Sequence, residues 1–118
     1  MSIVALVSEL MTRSRVAAAA ERLGVEAEIV GSADALVARV KSVPPKLVIL
    51  DLEHPGISPV ELVPRLREVV PANARILAFG PHVHTALLAA ARQAGCDRVL
   101  ARGQFHADLD EILSAGGA

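Results

Sequence analysis

Short apolar runs alternate along the chain with longer stretches that have the periodicity of amphipathic helices. Most of the runs are typical of buried strands, which are predicted at residues 3–7, 47–50, 76–79 and 99–101. Residues 26–30 instead alternate polar and apolar positions, which predicts an edge strand with one face in water. Helices are predicted between the strands, at residues 12–23, 33–43, 59–69, 84–94 and 106–114.

Start and stop signals flank several of these helices. Gly24 and Gly95 stand where a helix ends on a left-handed residue. Ser58 to Glu61 reads as a capping box, with Pro59 at the first helical position, where its missing N–H costs nothing. Pro64 falls inside the same predicted helix and is expected to kink it.

Consecutive strand–helix units predict an α/β fold with a parallel sheet and helices on both faces. Right-handed crossovers favour an open, doubly wound sheet, in the strand order 2-1-3-4-5. In such a sheet ligands bind at the carboxyl ends of strands 1 and 3, where the winding direction reverses. The candidate site should therefore be lined by residues 8–9, 51–56, 80–84 and 102–105.

Composition narrows the classes of function. The chain has 118 residues, 53% of them apolar, which predicts one globular domain over residues 1–118, with a flexible tail at 114–118. A formal net charge of -1, with Phe79 and Phe105 as the only aromatics, argues against direct nucleic-acid binding. Residues 1–7 are too short an apolar run for a membrane span, and the lone Cys96 fits a reducing compartment. We expect a cytoplasmic protein with no membrane association.

Asp51 is the clearest candidate for a chemically active residue. It ends an apolar strand, so its carboxylate would be desolvated below and open above. That is the position required of a nucleophile or a metal ligand, although a polar residue that simply closes a strand is about as common.

The landmarks from Asp51 to Arg102 resemble those of bacterial response regulator receiver domains (CheY-like), and they align without gaps. The resemblance implies a flavodoxin-like fold and a signalling function without enzymatic activity. It places Asp51 on the phosphoacceptor, Pro55 on the proline that follows it, and Arg102 on a lysine after strand 5. It also implies Mg²⁺, with Glu9, Asp51 and Glu53 as candidate ligands.

Several active positions depart from the receiver pattern. Ser8-Glu9 stands where the family has an acidic pair, so weaker Mg²⁺ binding is expected. Gly80 replaces a threonine or serine that binds the phosphoryl group, and Val99 replaces a switch aromatic. Arg102 keeps a cation near Asp51, but a planar guanidinium differs from an ammonium in reach. These losses predict that phosphorylation-driven switching is weak or absent.

Loop histidines give a second, weaker pattern. His54, His82, His84 and His106 are all expected at the carboxyl edge of the sheet. His82 and His84 could contribute, with Asp51 or Glu53, to a transition-metal site, but a short pair on an irregular loop fixes no geometry. Cys96 is interpreted as a structural thiol.

The fourth predicted helix has Arg92 as its only Lys, Arg, Asp or Glu. In receiver domains the fourth helix, fifth strand and fifth helix contact partners, and the resemblance places a partner surface on Leu87, Leu88, Ala91 and Arg92. The alternative is that small alanines merely cover the surface, since alanine is a strong helix former.

Three functions remain from the sequence. The favoured one is a receiver-like module of a two-component or related system, such as a phosphorelay. It would act as a pseudo-receiver through contacts with a histidine kinase, an output domain or a second copy, with phosphorylation of Asp51 weak or lost. The second is an atypical but active receiver, phosphorylated on Asp51 with Mg²⁺. The third is a small-ligand or metal-binding α/β protein.

Overall fold

A computed structural model describes residues 2–115, which form a single parallel sheet flanked by helices. The strands are β1 (Ser2–Leu6), β2 (Glu26–Val30), β3 (Leu47–Asp51), β4 (Arg75–Gly80) and β5 (Arg98–Ala101). The helices are α1 (Leu10–Leu23), α2 (Ala33–Ser42), α3 (Pro59–Val69), α4 (Thr85–Ala94), α5 (Arg102–Ala107) and α6 (Leu109–Ala115). Among these residues, no helix is both long and apolar enough to cross a membrane.

The strand order is β2-β1-β3-β4-β5, and every neighbouring pair is parallel. This confirms the doubly wound, flavodoxin-like sheet that the alternation of strands and helices predicts. All of β3 is buried because strands cover both of its edges and helices cover both faces. Asp51 is the last residue of that buried strand, so the fold brings a carboxylate to the switch point of the sheet.

Alternate strand residues point into separate cores on the two faces of the sheet. One core packs Val48, Leu50 and their neighbours against α2, α3 and α4. The other packs Leu47, Ile49 and Phe79 against α1, α5 and α6. The period of two therefore gives every central strand two apolar faces, which is why these strands read as continuous apolar runs.

The helix signals are confirmed in part. Gly24 and Gly95 end α1 and α4 with φ of 70° and 112°, and Pro59 opens α3. The capping box is wrong, because the side chain of Ser58 makes no capping hydrogen bond. Instead the backbone N–H of Glu61 donates to the carbonyl of Ser58. Pro64 lies inside α3, as predicted, and the expected kink stays a prediction.

The helix predicted at residues 106–114 is wrong in its extent. The chain turns into helix directly after β5, and Asp108 separates α5 from α6. Of the tail predicted at 114–118, Ser114 and Ala115 belong to α6, and residues 116–118 lie outside the described part of the chain. The first helix begins two residues earlier than predicted, at Leu10, because Glu9 caps it.

Gly95 gives a test of this architecture. Gly95→Ala should lower the free energy of unfolding by about 1–2 kcal/mol, because an L-residue resists the left-handed conformation. Crowding contributes little, since the nearest atom to an added Cβ is Val63 Cγ1 at 3.9 Å. Urea unfolding at neutral pH measures the change.

Gly103→Ala is the matched control for this substitution. Gly103 lies in α5 with negative φ and open space where a Cβ would stand, so no loss of stability is expected. Equal losses in the two variants would contradict the backbone explanation.

Candidate functional site

The candidate site lies at the carboxyl edge of the sheet, where β1, β3 and β5 end. Glu9 follows β1, Asp51 ends β3 with Glu53 two residues later, and Arg102 begins α5 immediately after β5. The fold brings together the residues that the sequence predicted there, because parallel strands end on the same edge. What the sequence did not predict is how their charges are paired.

Asp51 is a buried carboxylate with one engaged and one free oxygen. Its relative exposure is 1%. Oδ1 accepts hydrogen bonds from the backbone N–H of Glu53 at 3.0 Å and from the guanidinium of Arg102 at 3.2 Å. Oδ2 is buried and has no partner among the described residues. Burial raises the pKa of Asp51, against the opposing effects of the Glu53 N–H and the Arg102 charge.

Arg102 connects the acidic residues of the site. One terminal nitrogen, Nη2, donates to Asp51 and to the carboxylate of Glu53. The other, Nη1, donates to the hydroxyl of Thr12 at 3.1 Å. A planar guanidinium can do this because its donors form a rigid fork, whereas an ammonium is a single compact donor group. The structure thus gives Arg102 three side-chain partners on β3, the following loop and α1.

Glu9 has a structural role that its sequence context did not reveal. Its carboxylate caps α1 by accepting from the backbone N–H groups of Met11 and Thr12 at 3.0 and 2.8 Å. It also accepts from the hydroxyl of Thr12 at 2.6 Å. These hydrogen bonds, the Thr12 hydroxyl first, lower the pKa of Glu9. Thr12 therefore links the helix cap to Arg102.

A pair of stacked aromatic rings lies beside Arg102. The Phe79 and Phe105 ring centroids are 4.0 Å apart, with an interplanar angle of 8°. The guanidinium carbon of Arg102 stands 5.1 Å from the centroid of Phe79, within the range of a cation–π contact. Both rings are fully buried, so they provide a rigid support for the guanidinium.

Gly80 and Val99 stand at the two positions where the receiver pattern has a hydroxyl and an aromatic side chain. A Cβ on Gly80 would lie 3.4 Å from Leu52 Cβ and 3.5 Å from Leu88 Cδ2. Leu52 and Leu88 thus lie next to any side chain placed at residue 80. Val99 is half-buried against the core on the α4 side of the sheet. Neither position contributes a polar group to the site.

The histidines do not form a metal centre. Within residues 2–115, no three His, Cys, Asp or Glu side chains gather in a way that could hold a metal ion. His82 and His84 are exposed, and burial lowers the pKa of His106. His54 is buried, and its ring joins two loops, with Nε2 2.6 Å from the carbonyl of Gly31 and Nδ1 accepting from the N–H of Gly56.

The carboxylates also do not fit Mg²⁺ in this arrangement. Both oxygens of Glu9 are used by the cap of α1, and Glu53 is paired with Arg102. Asp51 offers only the buried Oδ2, and the nearby positive charge is already supplied by the guanidinium. A cation shared by Asp51 and Glu53 would therefore compete with Arg102 for their carboxylates.

The partner surface predicted on α4 needs correction. Leu88 and Ala91 are buried, with exposures of 7% and 0%, because they pack into the core beneath α4. Leu87 is half-buried against the same core, and only Arg92 is fully at the surface. Of the alanines of α4, only Ala91 is buried, so the core contacts of this helix come mainly from its leucines.

Most of the exposed large apolar side chains lie elsewhere, around the candidate site. They are at the start of α1, at the start of α3 and in the loop before α4: Leu10, Met11, Val60 and Val83. Cys96 is half-buried, and burial raises its pKa to about 11, in line with its interpretation as a structural thiol.

Sequence reasoning missed one residue of the site and the contact made by another. Thr12 lies three residues after Glu9, which is the spacing at which a cap meets the first turn of a helix, and this spacing was the available signal. His54 was assigned to the loop group, but its bond to Gly31 spans 23 residues of sequence. No local pattern reveals such a contact.

Comparisons with solved structures identify the fold. The receiver domain of a sensor histidine kinase from Pseudomonas aeruginosa, solved with magnesium in its active-site cleft, is similar with a TM-score of 0.80 and 17% identity. The match covers 97% of this chain and 94% of that one. A CheY-like receiver domain from Methanospirillum hungatei gives a TM-score of 0.81 at 17% identity, covering 97% and 90% of the two chains.

An orphan response regulator of H. pylori gives a TM-score of 0.81 at 13% identity, covering 100% of this chain and 97% of that one. No protein-family model matches the sequence, and no curated protein matches it. The chain therefore has the fold of response regulator receiver domains, as its sequence landmarks suggested.

Gly80 provides a test of the packing above the site. Gly80→Thr should lower the free energy of unfolding by about 1–3 kcal/mol, because its branched side chain would press against Leu52 and Leu88. Gly80→Ala is the control, since a lone Cβ meets only ordinary contacts there. Thermal or urea unfolding compares the two. A threonine variant as stable as the wild type would contradict the packing described here.

Asp51 provides a pH test. Because burial raises its pKa in the folded state, folding favours the protonated form. The contribution of Asp51 to stability is therefore fully present below its unfolded pKa and is lost as pH rises through the folded pKa. As pH falls from neutral towards 4, the wild type should gain stability relative to Asp51→Asn. Urea unfolding of both proteins across this range measures the difference, in which contributions of carboxylates distant from the site cancel. A difference that is constant with pH would contradict the direction of the pKa shift.

Proposed function

We propose that this chain is a receiver-like signalling module of a two-component or related regulatory system, in which Arg102 keeps Asp51 in a closed arrangement. Phosphorylation of Asp51 is then weak or lost, and the module acts by protein contacts without catalysing a reaction. The observation that carries this proposal is the pairing of a carboxylate of 1% exposure with the guanidinium of Arg102.

Phosphoryl transfer to a carboxylate needs positive charge to offset the negative charge that gathers around the transferred group. A divalent cation supplies this charge and leaves the carboxylate oxygen free to attack. In this chain the charge comes from a side chain that is itself hydrogen-bonded to Asp51. The same guanidinium is tied to Glu53 and Thr12, so releasing it breaks several interactions at once.

The partner of such a module would be a histidine kinase, an output domain or a second copy of the chain. The apolar side chains around the site support contacts at the carboxyl edge of the sheet, since bulky exposed residues such as Leu10 and Val83 favour protein association. A surface on α4, β5 and α5 would have to use Arg92 and the half-buried Leu87, because the other predicted residues are in the core.

A second candidate is an atypical but active receiver. Asp51 Oδ2 is free of hydrogen bonds, which is the state required of an attacking oxygen. A similar receiver domain, that of the P. aeruginosa kinase, has magnesium in its cleft. In this reading the carboxylates of Asp51 and Glu53 would hold Mg²⁺ once Arg102 had moved aside, and the ion would supply the positive charge that phosphoryl transfer needs.

A two-dimensional amide NMR titration separates these candidates. Mg²⁺ is added first, followed by beryllofluoride, a mimic of the aspartyl phosphate. The closed arrangement predicts no change in the wild-type spectrum. Arg102→Lys should then show shifts around Asp51 and Glu9, because a lysine cannot hold Thr12, Asp51 and Glu53 together.

Arg98→Lys is the matched control, since it makes the same change on β5, before the site, where no ion pair involves Arg98 among the described residues. It should behave like the wild type. Wild-type shifts that begin near Asp51, reach α4 and vanish in Asp51→Asn would contradict the closed arrangement and establish the active receiver.

A further inference from the structure

The outer edge of the sheet at β2 carries features that the phosphorylation site does not explain. β2 is the last strand in the order and pairs with β1 alone. Among the described residues, no backbone hydrogen bond from a turn or loop reaches residues 26–30. An edge strand whose outer N–H and C=O groups are free is a template for one more strand.

A groove of about 440 Å³ surrounds the amino-terminal half of this strand. On one side it is bordered by Ala17 and Glu21 of α1, and on the other by Arg39 of α2 and Val43 just after it. Alanines at residues 17, 20 and 27 leave this space open where larger side chains would fill it. The volume lies in the range of grooves that bind small molecules or a few residues of a peptide.

The charges around the groove determine what can occupy it. Glu21 and Glu26 are exposed and take part in no ion pair among the described residues. Glu28 is paired with Arg39 at 2.8 Å, which leaves Arg39 no free charge to offset the other two. The edge is therefore acidic, with apolar contact available from Val25 and from Val43, which is 38% exposed.

A second copy joined through β2 would bring these acidic edges together. Like charges on facing strands are destabilising, so these acidic residues disfavour pairing of β2 with the β2 of a second copy. An extended segment with lysine or arginine on alternate residues would instead place its charges beside Glu26, on the face of the sheet where Glu28 meets Arg39, and its small or apolar residues beside Ala27 on the α1 face. Its backbone would satisfy the free groups of β2.

We propose that β2 is a docking edge for an extended, basic segment of a partner protein, which adds to the sheet as a sixth strand. This interaction uses none of the residues around Asp51, so it stands or falls independently of the phosphorylation site. The partner is defined by its chemistry: a strand-forming stretch, free backbone amides, and positive charge at every second residue.

The test uses three blocked hexapeptides and the isotopically labelled chain. The first alternates lysine and valine, the second alternates glutamate and valine, and the third is the lysine peptide with alternate amides N-methylated. The lysine peptide should shift the amide signals of residues 17–21 and 25–30 saturably. The glutamate peptide should cause no shift, because its charge is wrong. The methylated peptide should also cause none, because it lacks the hydrogen-bond donors.

The charge-reversed variant Glu21→Lys with Glu26→Lys should lose binding, while Glu68→Lys with Glu111→Lys, the same change on exposed positions of α3 and α6, should keep it. Circular dichroism confirms that both variants are folded. Equal binding by the methylated peptide, or shifts spread over all acidic surfaces, would overturn the proposal by showing simple charge attraction. Absence of any shift, or self-association through β2 in sedimentation experiments, would overturn it as well.

Discussion

A carboxylate buried at the end of a buried strand needs a positive charge beside it, and in this protein Arg102 provides that charge to Asp51. The arrangement follows from the topology, because β3 lies in the middle of the sheet and delivers Asp51 into the crevice. Without Arg102, the carboxylate of Asp51 would keep its burial and lose a positive charge that partly offsets it. The guanidinium is therefore part of the folded structure as well as part of the candidate site.

Several features of the site are adapted to this side chain. Thr12 accepts one of its hydrogen bonds, and the Phe79 ring lies beside its charged head. The hydroxyl of Thr12 also donates to the carboxylate of Glu9, so the first turn of α1 and the guanidinium share one residue. A cation entering the crevice would compete with this whole set of contacts and would not meet a preformed group of free carboxylates. The proposal of weak or lost phosphorylation rests on this competition between a cation and Arg102 for the same carboxylates.

The sequence predicted the sheet well, because buried parallel strands leave long apolar runs and the left-handed glycines mark the ends of α1 and α4. It also placed Asp51 and Arg102 at the same edge, since strand order fixes which loops meet. It could not predict how charges pair within that edge. The cap formed by Glu9 and the bond from His54 to Gly31 depend on side-chain orientation and on contacts distant in sequence. Ser58 shows the converse, since a capping motif was present but another backbone geometry was adopted.

The stacked rings of Phe79 and Phe105 have a consequence for how this protein can be observed. They are the only aromatic side chains of the chain, which has neither tryptophan nor tyrosine. The near-ultraviolet circular dichroism of aromatic side chains therefore originates from this one pair, which packs beside the guanidinium of Arg102. The two phenylalanines therefore act as an intrinsic optical reporter on the candidate site, with no tryptophan or tyrosine signal to mask them. Movement of Arg102 away from Phe79 would alter the electric field at that reporter without any label having been attached.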